Sequence, residues 1–191
     1  DGYTRVPAAV VEGYSTLFAE IDDQLGSDGP PDLVIVPTGV GSLLHAGLQH
    51  YRAAGHDGST AVVAVEPTVA AALPAAFGAD HPVTVETGST IMAGLNCGTP
   101  SALAWPAIRH GLDAATAVTD RQAIAAGHDL RTHGVDAGPC GAASLAGARL
   151  IAAAPDRREH LGLTPASVVV LLITEGTRST PLPDPPGSGG A

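Results

Sequence analysis

Five consecutive apolar residues, Leu33-Val-Ile-Val-Pro37, run straight into Thr38-Gly39-Val40-Gly41-Ser42, and a helical pattern follows at once. A short continuous apolar run of this kind fits a strand covered on both faces. Glycines at 39 and 41 let the backbone turn tightly and come close to a ligand. A buried strand that ends in such a turn and opens a helix points to parallel βαβ architecture, in which a crossover helix carries the chain back to start a neighbouring strand.

The remaining chain repeats that unit. Pro7 to Leu25 has helical apolar spacing at Val10, Val11, Tyr14, Leu17, Phe18, Ile21 and Leu25, and Pro7 suits a first helical turn. Gly26 to Pro31 is a loop by its glycines and prolines. Ser42 to Ala54 reads as a helix, Ala61 to Val65 as a second buried strand, and Thr68 to Phe77 as an Ala-rich helix. Val83 to Val85 is expected as a short strand. Ser101 to His110 reads as a helix weakened by Pro106, and Ala114 to Val118 as a third strand. Asp120 is expected to cap a helix reaching about Arg131. Gly141 to Ala153 forms a further helix, and Val168 to Ile173 reads as the last and strongest strand. The fold class is therefore α/β, an open, mainly parallel sheet with helices on both faces. One α/β portion fills residues 1–180. The Pro/Gly-rich stretch Pro181 to Ala191 is expected as a disordered tail.

Composition removes several function classes. The 191 residues carry a net charge of −10 with nine Lys+Arg, all of them arginine. Nine scattered arginines give no basic face, so a nucleic-acid partner is not expected. No apolar run approaches membrane-spanning length, and no signal peptide is visible. Cys97 and Cys140 make no disulfide framework, which favours a reduced cytoplasm. The eight histidines are scattered without zinc-site spacing, so no metal is expected. The chain begins with Asp1, and it is read as a portion of a longer protein.

The chemistry concentrates in four places. At Gly39 to Ser42 the N–H groups of the first helical turn would point at an anion, and the helix dipole favours one; phosphate is the natural guest. The plainer alternative is an ordinary strand-to-helix turn. A dinucleotide fingerprint fails because Leu44 stands where a third glycine belongs, although Glu66 ends the next strand. A P-loop fails for want of a lysine. Gly88 to Gly98 is rich in small residues, which lets backbone lie against a flat ligand or simply connects two elements. Asp136-Ala-Gly-Pro-Cys-Gly141 opens a helix, with Asp136 a cap or the neighbour of one and Cys140 a small buried filler. Thr174 ends the last strand, where parallel sheets face their ligand crevice.

Taken together these segments resemble diaminopropionate ammonia-lyase, a pyridoxal-phosphate enzyme of the tryptophan-synthase-β fold type, over its C-terminal half. Gly2-Tyr-Thr-x-x-Pro7, the Gly39-Val-Gly41 turn, Val65-Glu66-Pro67, Thr90-Ile-Met-Ala-Gly-Leu-Asn-Cys-Gly98, Asp136 to Gly141 and Thr174-Glu-Gly176 carry the resemblance. The turn and Val-Glu-Pro are shared with threonine dehydratase and cysteine synthase. The resemblance implies α,β-elimination of 2,3-diaminopropionate to pyruvate and ammonia with pyridoxal 5′-phosphate. The cofactor's phosphate would sit on Gly39, Val40, Gly41 and Ser42, with Gly94 beside the ring and Thr174 facing its nitrogen. Thr90, Met92, Leu95 and Asp136 would lie toward the substrate. No catalytic residue is expected in this chain, because the Schiff-base lysine and acid/base carboxylates would come from a missing N-terminal domain. A homodimer is a possible assembly of such an enzyme. Asp136-Ala-Gly-Pro139 departs from the family's Glu-Ser-Gly-Ala, and Thr177-Arg178 stands where an aspartate usually follows. The competing readings are a non-catalytic phosphate-binding remnant and a nucleotide-binding module.

Overall fold

The computed structural model describes residues 5–53 and 58–184. Its elements run α1 (Arg5–Leu25), β1 (Leu33–Pro37), α2 (Ser42–Tyr51), β2 (Ala61–Pro67), α3 (Ala72–Ala79), α4 (Trp105–Gly111), β3 (Ala114–Val118), α5 (Asp120–Thr132), α6 (Pro139–Ala153), α7 (Pro155–His160) and β4 (Val169–Leu171). The four strands form one parallel sheet in the order β3-β2-β1-β4.

Alternate residues of the two central strands feed two cores. Leu33, Ile35, Val63 and Val65 pack with Ala123, Ala126, Ala142, Ala143 and Ala146 of α5 and α6. Val34, Val36, Val62 and Ala64 pack with Phe18, Leu44, Leu48, Tyr51, Leu73 and Ile108 on the opposite face. Each residue of β1 and β2 is buried. That double coverage is why these strands read as unbroken apolar runs. Small residues set the packing distance of α6: a Cβ on Gly147 would lie 2.5 Å from a methyl of Val65.

Several boundaries differ from the sequence expectation, each for a local reason. The first helix is already formed at Arg5, the first described residue, ahead of Pro7. Residues Thr68–Ala70 form a 3-10 turn, and α3 starts only at Ala72, where the Glu66 carboxylate accepts the N–H groups of Ala72 and Leu73. Val83 to Val85 joins no ladder; the Val85 N–H donates to the Gly98 carbonyl at 2.9 Å. Ser101 instead opens a turn, its carbonyl accepting from Ala104 and Trp105, so α4 starts at Trp105 with Pro106 in its first turn. Thr119, not Asp120, caps α5 through a reciprocal pair with Gln122. Asp120 accepts from the Thr90 hydroxyl and the Ile91 N–H. Helix α6 begins at Pro139 rather than Gly141. Helix α7 was not legible, since its apolar spacing is absent.

The largest correction concerns the last strand. Only Val169 to Leu171 pair, and they are half-buried or exposed because β4 is an edge with β1 on one side alone. Helix α2 ends at Tyr51, with Arg52 as its C-cap, short of the expected Ala54, which itself lies outside the described residues, as do Gly2, Tyr3 and Thr4. Of the expected tail, 181–184 run without regular structure, with Leu182 against Gly127 and the Pro183 carbonyl 2.9 Å from Nε2 of His128. The rest lies outside the described residues.

Candidate active site

The chain adds β2 and β3 on one side of β1 and then returns to place β4 on the other. Strand β1 exits into α2 on one face of the sheet. Strand β4 exits toward α5 and α6 on the other, where Leu182 packs. Neighbouring strands whose connections leave to opposite faces open a crevice at their carboxyl ends. A cavity of about 340 Å³ lies there.

One wall is the glycine turn. Gly39, Val40, Gly41, Ser42 and Leu43 line the cavity, and the N–H groups of Gly39 to Ser42 donate to no acceptor among the described residues. Gly41 has φ +97°, and it sits at the N-terminus of α2 without any side-chain cap. That conformation favours glycine. Gly39 is required for a different reason: a Cβ there would lie 2.8 Å from the Gly94 carbonyl and 3.2 Å from Sγ of Cys97. Thr38 turns its hydroxyl back to the Val36 carbonyl at 2.8 Å, so it leaves the amides uncovered.

The opposite walls come from three other segments. Gly94 and Leu95 form a 3-10 turn over the cavity. Thr174 and Glu175 follow β4, and Val10 and Tyr14 reach in from α1. Cys140 completes the floor at 4% exposure. Its thiol is pushed up to about 12 by burial first and by the neighbouring Glu175 second. It is a buried filler, not a nucleophile.

Gly39, Val40, Gly41, Ser42, Gly94, Thr174 and Leu95 are thus brought together around one cavity. Thr90, Met92 and Asp136 are not among its lining residues. Met92 is fully buried in the core. Thr90 is tied to Asp120. Asp136 is exposed and accepts from the Thr177 hydroxyl at 2.6 Å and from the Thr177 N–H, which hold its carboxyl below the usual carboxylate value. It caps no helix.

Sequence reasoning missed Tyr14 and Glu175. Glu175 spans the loop that carries Asp136: its Oε1 accepts from the Cys140 N–H at 2.8 Å, and its carbonyl accepts from Gly138 at 2.9 Å. Oε2 takes the Thr180 hydroxyl. No arginine lines the cavity. An anion there would be held by amides and a helix dipole.

A pyridoxal-phosphate dependent enzyme family matches residues 2–175. The chain belongs to that family. Its cofactor is pyridoxal 5′-phosphate. L-threonine dehydratase biosynthetic IlvA of Mycobacterium leprae is 34% identical over 182 residues, covering 92% of this chain and 39% of the relative. Diaminopropionate ammonia-lyase of Escherichia coli K12 is 28% identical over 188 residues, covering 92% and 47%. A crystal structure of the E. coli lyase in complex with an aminoacrylate-PLP azomethine reaction intermediate superposes with a TM-score of 0.78 at 28% identity, covering 92% of this chain and 47% of that one. The fold is that of fold-type-II enzymes. This chain spans less than half the length of these relatives.

The residues fit one end of the cofactor. Four amides without acceptors, at a helix N-terminus and beside a glycine that no Cβ can replace, suit a phosphate. They do not supply the amine to which such a cofactor is usually bound, because the chain has no lysine. Among the described residues no cluster of His, Cys, Asp and Glu suits a metal ion, and no helix is long and apolar enough to cross a membrane.

Proposed function

We propose that this chain is the cofactor-phosphate portion of a cytoplasmic ammonia-lyase that eliminates the β-amine of 2,3-diaminopropionate to give pyruvate and ammonia. The observation that carries it is the set of acceptor-free amides from Gly39 to Ser42 facing one cavity with Gly94 and Thr174. When bound, the cofactor's ring withdraws electrons from bonds at the substrate's α-carbon.

The chain's own residues do the positioning. The amides of Gly39, Val40, Gly41 and Ser42 would hold the phosphate. Gly94 and Leu95, which approach Gly39 closely because it has no Cβ, would lie beside the cofactor. Thr174 would supply a neutral hydroxyl as partner for the ring nitrogen. A hydroxyl leaves that nitrogen less protonated than a carboxylate would, which suits loss of a β leaving group. The lysine and the acid/base carboxylates come from the missing N-terminal domain, so the isolated chain is inactive. A homodimer is one assembly open to such an enzyme.

The 34% identity to threonine dehydratase over 92% of the chain favours a second reading, in which the leaving group is a β-hydroxyl. Ammonia release by the longer polypeptide carrying this chain, measured with 2,3-diaminopropionate, L-threonine and L-serine, separates the two. Turnover of diaminopropionate above the hydroxy amino acids is expected; preference for threonine overturns the first reading. The phosphate placement is tested on the chain itself. Pyridoxal 5′-phosphate should bind at least about tenfold more tightly than pyridoxal, a difference of about 1.4 kcal/mol. Equal affinities would contradict it.

A further inference from the structure

On the proposed reading Thr174 meets the cofactor's ring nitrogen, yet the sheet does not hold it there. The ladder of β4 ends at Leu171, and the Leu172 N–H reaches the Ile35 carbonyl only at 3.4 Å. Thr174 lies beyond both. Neither its N–H nor its hydroxyl bonds to a described residue.

The residue after it is held three times. The Glu175 carbonyl accepts from the Gly138 N–H at 2.9 Å. Its Oε1 accepts from the Cys140 N–H, in the first turn of α6, at 2.8 Å. Its Oε2 accepts from the Thr180 hydroxyl at 3.0 Å. A carboxylate at a helix start is favoured by the helix dipole and by charge-assisted hydrogen bonding. Farther along the same segment, the Thr177 hydroxyl donates to Asp136 at 2.6 Å.

Two glycines let this segment lie directly on the start of α6. A Cβ on Gly138 would stand 2.9 Å from Cγ of Glu175, and one on Gly141 would stand 3.2 Å from the Thr174 nitrogen. Gly138 has φ −74°, which any residue adopts, so its missing side chain serves the contact and not the backbone angle. Peptide planarity carries the restraint back to Thr174. Once the peptide between Thr174 and Glu175 is fixed, the place of the hydroxyl depends on its own χ1, and a β-branched side chain is stiff there.

We propose that Glu175 is a positioning residue of the cofactor site. By binding the start of α6 and Thr180, it fixes the peptide after Thr174 and so sets where the Thr174 hydroxyl would meet the ring nitrogen. This rests on the reading of the cavity as the cofactor's. Glu175 acts through Thr174, and its carboxylate is spent on Cys140 and Thr180.

The test titrates the 191-residue chain with pyridoxal 5′-phosphate isotope-labelled at its ring nitrogen. Glu175→Ala should move the bound ring-nitrogen signal toward that of the free cofactor in water. Glu175→Gln keeps an acceptor for the Cys140 N–H and a partner for Thr180, and should restore the wild-type signal. Gly138→Ala keeps every hydrogen-bonding side chain but crowds Glu175, and should reproduce the Glu175→Ala shift. Cofactor affinity should change less than about threefold throughout, because the glycine turn is untouched. In the cofactor-free chain the Thr174 carbon shifts, which follow its backbone angles, should move in Glu175→Ala and Gly138→Ala and stay fixed in Glu175→Gln. Circular dichroism checks folding, and Gly138→Ala carries the test if Glu175→Ala does not fold. A Glu175 that only stabilised the fold would leave the bound ring-nitrogen signal in place. An unmoved signal, or unmoved Thr174 carbons, would overturn the proposal. So would a Gln variant that shifts the signal as far as Ala does, because the carboxylate's charge would then act on the ring directly. Equal wild-type affinity for pyridoxal and its phosphate counts against the phosphate placement alone, since the Thr174 carbons are read without cofactor.

Discussion

Helices α2 and α6 both open onto the same cavity, and each follows a glycine at its N-cap, yet only one is free to receive an anion. At α6 the protein supplies its own carboxylate: Glu175 accepts from the Cys140 N–H. At α2 the turn from Gly39 to Ser42 has no protein acceptor among the described residues. The pattern extends further. Helix α3 is closed by Glu66, and α5 by the Thr119–Gln122 pair. Each of these ends must satisfy its first N–H groups somehow. On the proposed reading, the start of α2, left without an internal partner inside the crevice, takes the cofactor's phosphate.

The comparison can be broken from either side. Filling the open end should have the largest effect. Ser42→Asp or Val40→Asp would place a carboxylate beside the amides and repel the phosphate. The expected loss of pyridoxal 5′-phosphate affinity is at least about a hundredfold, near 3 kcal/mol. A spectroscopic titration checks it, and these two positions avoid the backbone strain that a side chain at Gly41 would add.

Glu66 comes next. Burial pushes its carboxyl from the ordinary 4.5 to about 7, against the smaller lowering effect of the Leu73 and Ala72 N–H groups. The folded state therefore holds this proton more tightly than the unfolded chain does. Its contribution is complete below about pH 4.5 and fades as pH rises to about 7, by at most about 3 kcal/mol. Denaturant unfolding across that window should show stability falling with pH from this group. Glu66→Gln should flatten that component; an unchanged slope would show that Glu66 ionises normally.

Opening the closed end is a smaller change. Glu175→Ala orphans the Cys140 N–H and should cost about 1–3 kcal/mol of stability by urea denaturation. It should also turn the start of α6 into a weak phosphate-binding site. Smallest is the behaviour of Cys140. With its thiol near 12, it should resist alkylation at pH 8 in the folded chain and react on unfolding, as mass spectrometry of the modified peptide would record.

What the sequence made legible follows from what is local. Leu33 to Pro37 and Ala61 to Val65 were readable because buried parallel strands need unbroken apolar runs. The glycine turn was readable because its backbone demands are made by the residues themselves. Val168 to Ile173 misled for the converse reason: its composition is that of an inner strand, but its position at the sheet edge leaves three paired residues. Asp136 and Glu175 exchanged roles because their partners lie 41 and 35 residues away, across the fold. Thr90 and Met92 sit in a motif with many small residues, but their side chains point to Asp120 and into the core. No periodicity reveals such long-range pairings.

The most direct test is a proton–nitrogen correlation spectrum of the chain titrated with inorganic phosphate. The amide signals of Gly39, Val40, Gly41 and Ser42 should move together, while those of Ala72, Leu73 and Cys140 stay fixed. Shifts confined to the latter three, or a turn that does not respond, would contradict the account.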